Sequence, residues 1–455
     1  MKKRLLFLFI ILLFLCFTVF SQSETFKKNT EWQSDTYIFI IDSFFFNVDG
    51  ITRQNALIKA GSLKTGEEIS GFSSLEKYIQ EKTQLLYNQR ALESVSLDYS
   101  VGHINSEGKY PVEILVNVKD TNNFFIFPDP QYSTNYGIGL ALIFIHNNFW
   151  GTMSPFRTKI GYKYDEYGQN NYIFSMETNA KLKFIGINWN LLFLNEFKYR
   201  PYLEEPLYYR NAAGLSAALP FVFFTFSPGI NFSLILNDEM RVNDTSYGGY
   251  HYLFFGPEAK LSRIDWIGNF RKGFLISVNQ FYYYFFYVNK DEINPWGILN
   301  ILSAVIHLNL TDFFGASSRL MFRHWAISSS SRYAGDALRG ILDKDISADM
   351  MLSLNLDFPL KVFIFRPAEW FNYKKFEFFN FDLHFVPVID TAVYRHPYKK
   401  TDDIYDNILV SGGIEAIIFP QKFRSFCLRI SFGKNLKEKI DNGKYELYIG
   451  GNFFY

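Results

Sequence analysis

The residues best placed to do chemistry are charged groups that would meet inside a closed wall. Arg339 stands between Leu338 and Gly340 at the end of a loop, Tyr333 to Gly340, that precedes a strand. Along that strand, Ser347 to Phe358, residues Met350, Leu352, Leu354, Leu356 and Phe358 share one parity. Asp349, Ser353, Asn355 and Asp357 share the other, and only Met351 is out of class. Successive side chains of a strand point to opposite faces, so one face is apolar and the other polar. Further on, Asn380, Asp382, His384 and Asp390 oppose Phe379, Phe381, Leu383, Phe385 and Ile389. If the polar faces line the inside of a barrel, an inward Arg339 makes charge-assisted, bidentate bonds with Asp357 and Asp390. Such a lock does no catalysis: it fixes the loop and limits leakage through the lumen.

Other chemistries find little support. His307, His324 and His384 lie in strands with serines and aspartates not far off in sequence, an arrangement ordinary for polar interior positions. His, Cys, Asp and Glu show no metal-ligand spacing, and the chain has neither a Gly-rich phosphate loop nor a G-x-S-x-G elbow. The expectation is a protein without enzymatic activity, cofactor or metal.

The elements that must position these groups follow from composition. The chain has 455 residues, 51 Phe, 30 Tyr and an aromatic fraction of 19%, yet its mean hydropathy is only −0.05. Apolar residues are therefore diluted by polar ones, unlike in helical membrane proteins, whose spans need about 20 apolar residues in a row. A net charge of +1 argues against a nucleic-acid partner. The one long apolar run, Leu5 to Phe20 after Lys2-Lys3-Arg4, reads as a secretory signal peptide over residues 1–21. That leaves Cys427 alone in the exported chain, so no intramolecular disulfide is possible.

A small α+β unit is expected over residues 35–119. Tyr37 to Phe46 reads as a strand, followed by helices from Thr52 to Lys59 and from Ser73 to Asn88. Strands at Leu92–Val101 and Val112–Lys119 complete a β-α-α-β-β order. With Gly61-x-x-x-x-Gly66 between the helices and Gln89 to Val95 opening the second strand, the unit resembles a single POTRA domain. The resemblance implies a periplasmic domain whose edge strand, here Leu92–Val101, accepts other chains by strand addition.

Residues 122–455 alternate in segments of roughly ten, the pattern of a transmembrane β-barrel, and the many aromatics suit its interfacial girdles. Sixteen strands are expected near 123–132, 137–146, 154–164, 170–182, 187–199, 208–220, 222–236 and 250–263, then 270–286, 296–310, 315–327, 347–358, 376–391, 407–419, 424–433 and 445–455. The seam between first and last strands is a second candidate site. Pro128 and Pro130 cannot donate ladder hydrogen bonds, and Gly450-Gly451 lie in the middle of the closing strand. A weak seam would part sideways and template an incoming strand.

Together these features resemble the BamA/TamA superfamily, the bacterial surface antigens, over most of the chain. Phe125 to Ser133, Tyr136-Gly-Ile-Gly139 and Asn147 to Gly151 resemble that family's barrel opening. Leu338-Arg339-Gly340-Ile341 resembles its Arg-Gly-aromatic loop motif, with Ile341 replacing the aromatic. Asn355 to Asp357 and Asp390-Thr-Ala392 resemble its strand-twelve and strand-thirteen patterns, with Asp for Glu and Ala for Gly. A terminal aromatic, Tyr455, resembles the sorting signal of bacterial outer-membrane proteins. The resemblance implies an outer-membrane protein that inserts or translocates polypeptides, with outer-membrane lipid, unfolded polypeptides and periplasmic or lipoprotein factors as partners. A passive or gated channel and a surface antigen or adhesin remain as alternatives on the same barrel.

Overall fold

The computed structural model describes residues 37–453, apart from 136, 165–167, 203–205, 222–223, 243–244, 288–295, 327–331, 334–336, 343–345, 396–406 and 438–444. The expected signal peptide and Tyr455 lie outside the described residues.

The N-terminal unit comprises β1 (Ile38–Asp49), α1 (Gln54–Ala60), β2 (Glu68–Ser70), α2 (Phe72–Tyr87), β3 (Leu92–Val101) and β4 (Tyr110–Asp120). The short β2 was not legible in the sequence: three residues carry too little alternation to register. It pairs with β1 and gives a sheet of order β2-β1-β4-β3, with β1 and β4 parallel. Thus β3, the expected acceptor, is an edge strand. The core forms because β4 turns Val112, Ile114, Val116 and Val118 to one face, and α2 lays Leu75, Ile79 and Leu86 against them. Gly71, with φ near 81°, supplies the left-handed turn that starts α2.

The remainder is a closed antiparallel barrel of sixteen strands. Its first half comprises β5 (Phe124–Ser133), β6 (Gly137–His146), β7 (Phe156–Tyr164), β8 (Asn170–Phe184), β9 (Ile187–Tyr199), β10 (Leu207–Pro220), β11 (Thr225–Val242) and β12 (Thr245–Ile267). β13 (Phe270–Tyr287), β14 (Trp296–Asn309) and β15 (Gly315–Ala326) follow. A two-strand pair, β16 (Arg332–Tyr333) with β17 (Ser347–Ala348), then brackets the Arg339 loop. The twelfth barrel strand is broken into β18 (Met350–Asp357) and β19 (Leu360–Phe365), both pairing with β20 (Phe381–Arg395). Pro359 lacks the donor a continuous ladder needs, so the expected end at residue 358 is a break and the strand resumes beyond it. Helix α3 (Pro367–Trp370) and a short 3-10 turn lead into β20, which begins at 381 rather than 376. β21 (Ile408–Pro420), β22 (Phe426–Asn435) and β23 (Tyr445–Phe453) return to β5.

Outside, large apolar side chains stand exposed, among them Ile138, Leu140, Leu142, Ile160, Phe174 and Phe193. Inside, Asp129, His307, Asp390 and Glu415 are buried. Among the described residues no helix is long and apolar enough to cross a membrane.

The N-terminal unit is docked on three turns at one end of the barrel. Arg90, 2% exposed, lies 4.1 Å from the Trp266 ring and donates to Gly268 O at 3.2 Å. Asn88 donates to Asp265 Oδ1 and accepts from Trp266 N, both at 2.9 Å. Arg424 covers the Tyr87 ring at 3.9 Å and donates to Leu92 O. The β6–β7 turn sends Asn148 to Thr52 and Asp120, and buries Met153 in the unit's own core.

Candidate functional site: the Arg339 cluster and the seam

Arg339 reaches three adjacent strands at once. Its backbone N and its Nε donate to Asp390 Oδ2 at 2.8 and 2.9 Å, and Nη2 donates to Oδ1 at 2.5 Å. Nη1 donates to Glu415 Oε1 at 3.1 Å and pairs with Asp357 Oδ1 at 2.7 Å. That last contact is an ion pair. Asp390 is 1% exposed and Glu415 4%, so their charges depend on the guanidinium fork for compensation. Glu415 also meets Arg429 and accepts from Ser431 Oγ at 3.2 Å.

The backbone makes this possible. Ala337, Leu338, Ile341 and Ile346 fold into the lumen and pack on Met351, Ala392 and Leu409. Met351, the residue out of class in its strand, is therefore inward because the loop supplies an apolar surface there. Asn355 Nδ2 holds Ala337 O at 2.9 Å. Gly340 has φ near 85°, and a Cβ there would overlap the backbone of Gly433 and Lys434 on β22. Both facts demand glycine. Its N–H donates to Glu446 Oε2 on β23 at 2.8 Å.

The seam is a contrast. Among the described residues β5 pairs with β6 at ten positions and β22 with β23 at nine, but β23 pairs with β5 at two, Tyr448↔Ser133 and Ile449↔Tyr132. Just beyond, Thr134 N donates to Leu447 O at 3.2 Å. Residues two apart share a side of a strand, so the nitrogens of Pro128 and Pro130 stand where donors to β23 belong. Continuing the register sets Pro130 opposite Gly451. There the Gly451 N–H is left with a long 3.4 Å contact to Asp129 Oδ1. Gly450, on the same strand, pairs with Arg429 of β22.

The sequence named Arg339, Gly340, Asp357 and Asp390, and the structure brings all four together. Pro128 and Pro130 lie in β5 itself, not in a linker before it. Sequence reasoning missed Glu415, Arg429 and Glu446. Their signal was inward parity of a charged residue, as with Ser411 and Ser431 beside Glu415, but parity alone does not say which acid an arginine will reach. It also missed Arg90, whose guanidinium burial and the neighbouring Arg424 and Arg271 push down to about 9. No periodicity marks a buried cation just past the end of a helix.

No family model matches this sequence, and no curated protein matches it closely enough to name a relative. Among solved structures it is similar to CdiB from Acinetobacter baumannii, with TM-score 0.55 and 12% identity over 91% of this chain and 74% of that one. BamA from Haemophilus ducreyi lacking POTRA domains 1-3 matches at TM-score 0.47 and 12% identity, over 91% of this chain and 85% of that one. CdiB from Escherichia coli matches at TM-score 0.48 and 10% identity, over 94% and 93%. At these identities the likeness is one of fold.

Proposed function

We propose that this chain is an outer-membrane barrel of the BamA/TamA type that inserts or translocates polypeptides, its N-terminal unit being a POTRA-like periplasmic domain. The exposed apolar exterior is the surface that lipid would solvate. The carrying observation is the seam: two ladder pairs among the described residues, and two prolines on the side that faces β23. An incoming strand would find there backbone groups that the barrel itself leaves underused. β3, the exposed edge of the N-terminal sheet, is the first acceptor for extended substrate, and the seam is the second. The Arg339 cluster holds the lumen closed between substrates. The role needs no catalytic group and no cofactor.

The test is depletion of the protein followed by an outer-membrane proteome. Selective loss of other barrels, or of one secreted partner, is expected and would name the substrate. An unchanged proteome would turn the assignment toward a channel or a surface antigen. A disulfide between Tyr132→Cys and Ile449→Cys, which lie opposite each other across the seam, should then block the same activity. Full activity with the seam locked would remove lateral opening from the mechanism.

A further inference from the structure

Glu446 sits on β23, in the closing strand of the barrel, and its two carboxylate oxygens face two different structures. Oε2 accepts the backbone N–H of Gly340, at the tip of the Arg339 loop, at 2.8 Å. Oε1 accepts Nδ2 of Asn135, in the turn after β5 and so on the far side of the seam, at 2.9 Å. Asn135 is itself tied down, its N–H donating to Ser133 Oγ at 3.1 Å, and its neighbour Thr134 carries the adjacent ladder bond to Leu447. One side chain thus bridges the seam beside the ladder pairs Tyr448↔Ser133 and Ile449↔Tyr132 and holds the loop that fills the lumen.

We propose that Glu446 couples the two: it is the positioning residue through which withdrawal of the Arg339 loop and parting of the β5–β23 seam become one event. The physical reason is that one charged acceptor serves a donor from each structure. When the loop leaves, Gly340 takes away the donor at Oε2, and the carboxylate loses one of the bonds that hold it toward Asn135. When β5 leaves, the Asn135 donor goes and Glu446 no longer holds Gly340 against Gly433. Each donor keeps the carboxylate placed for the other. The inference rests on the seam being the working part of the proposed function, but its test does not depend on any polypeptide being moved.

The experiment uses the full chain in lipid vesicles, with Cys16→Ala and Cys427→Ala removing the native thiols. Seam closure is read as the rate of disulfide formation between Tyr132→Cys and Ile449→Cys. Loop position is read, in separate samples, as maleimide labelling of Ala337→Cys, a position 7% exposed while the loop is in place. Glu446→Ala should slow the seam disulfide and speed the loop labelling, each about tenfold, the scale of one lost charge-assisted hydrogen bond. Arg339→Ala should free the loop and, through Glu446, slow the seam disulfide. In the Glu446→Ala background it should add nothing further at the seam. Asn135→Asp, which sets a second carboxylate against Glu446, provides an independent perturbation from the seam side and should also speed loop labelling. Coupling is overturned if Glu446→Ala moves only one readout or neither, if Arg339→Ala and Glu446→Ala add at the seam, or if Asn135→Asp leaves the loop untouched. A coupling failure leaves the depletion result unaffected, so the two readings fall separately.

Discussion

The two joints made by the last third of the barrel are fastened in opposite ways. Around Arg339, β18, β20 and β21 are laddered to one another along the cluster, and a buried fork of charges is added on top. At the β23–β5 seam the ladder nearly vanishes, and side chains such as Asp129, Thr134 and Glu446 substitute for backbone bonds. Backbone ladders are cooperative and change little with any one side chain, whereas side-chain contacts can be broken singly. The comparison teaches that this barrel fastens its seam with contacts that can be broken one at a time, and the wall around Arg339 with redundant ones.

The largest effect should come from breaking the strong joint. Arg339→Ala leaves Asp390 and Glu415 buried without their main cation, a loss of roughly 3–5 kcal/mol for a broken buried pair. Arg429 remains beside Glu415, so the greater share of the damage falls on Asp390. It should appear as a lower unfolding temperature of the folded barrel band on unheated gels, with Arg339→Lys intermediate because an ammonium lacks the planar fork. A wild-type temperature for Arg339→Ala would mean that the fork contributes nothing the ladder does not already supply.

Next comes Gly340→Ala. The left-handed backbone and the overlap with β22 together should cost about 1–3 kcal/mol, expressed as release of the loop. Limited proteolysis within residues 333–347 should speed up while the barrel core stays resistant. Unchanged digestion would show that the loop tip tolerates displacement from the wall.

Arg90→Ala tests a third fastening, that of the N-terminal unit to the barrel mouth. It removes a desolvated cation–π contact with Trp266, worth about 2 kcal/mol. Spin-label distances between the unit and the β12–β13 turn should broaden, and Arg90→Lys should restore them only in part. A single sharp distance in Arg90→Ala would assign the docking to Asn88, Arg424 and the β6–β7 turn instead.

The smallest effect is a gain. Pro130→Ala returns an N–H on the side of β5 that faces Gly451, and one ladder bond is worth about 0.5–1.5 kcal/mol. The seam disulfide between Tyr132→Cys and Ile449→Cys should then form faster. No change would mean that the seam is kept open by strand geometry and not by the missing donor.

Much of this was legible in the sequence because β-structure writes itself with period two. The boundaries of β6, β8, β9 and β14 fell within a residue or two of the alternating segments, since each has one face against apolar surroundings and one against polar ones. The exceptions have physical causes. β19 was missed because Phe358-Pro359 reads as an ending, and only the pairing with β20 carries the strand across it. Met351 looked like an error in the pattern until the loop supplied its apolar neighbours. Arg339, Asp357 and Asp390 were visible as a set because two acids shared an inward parity near one loop arginine. Glu415 and Glu446 were not, because their partners are fixed by how deeply the loop folds, and local sequence does not encode that depth.

Met153 gives the molecule a built-in order of completion. It belongs to a barrel turn, yet it is 4% exposed among the apolar side chains of the N-terminal unit. A chain ending at Asp120 holds that unit's sheet and helices but lacks one of the side chains that fill it. The unit therefore reaches its full packing only when the first barrel hairpins have formed, and the condition of the barrel is written into the interior of the domain that stands in front of it.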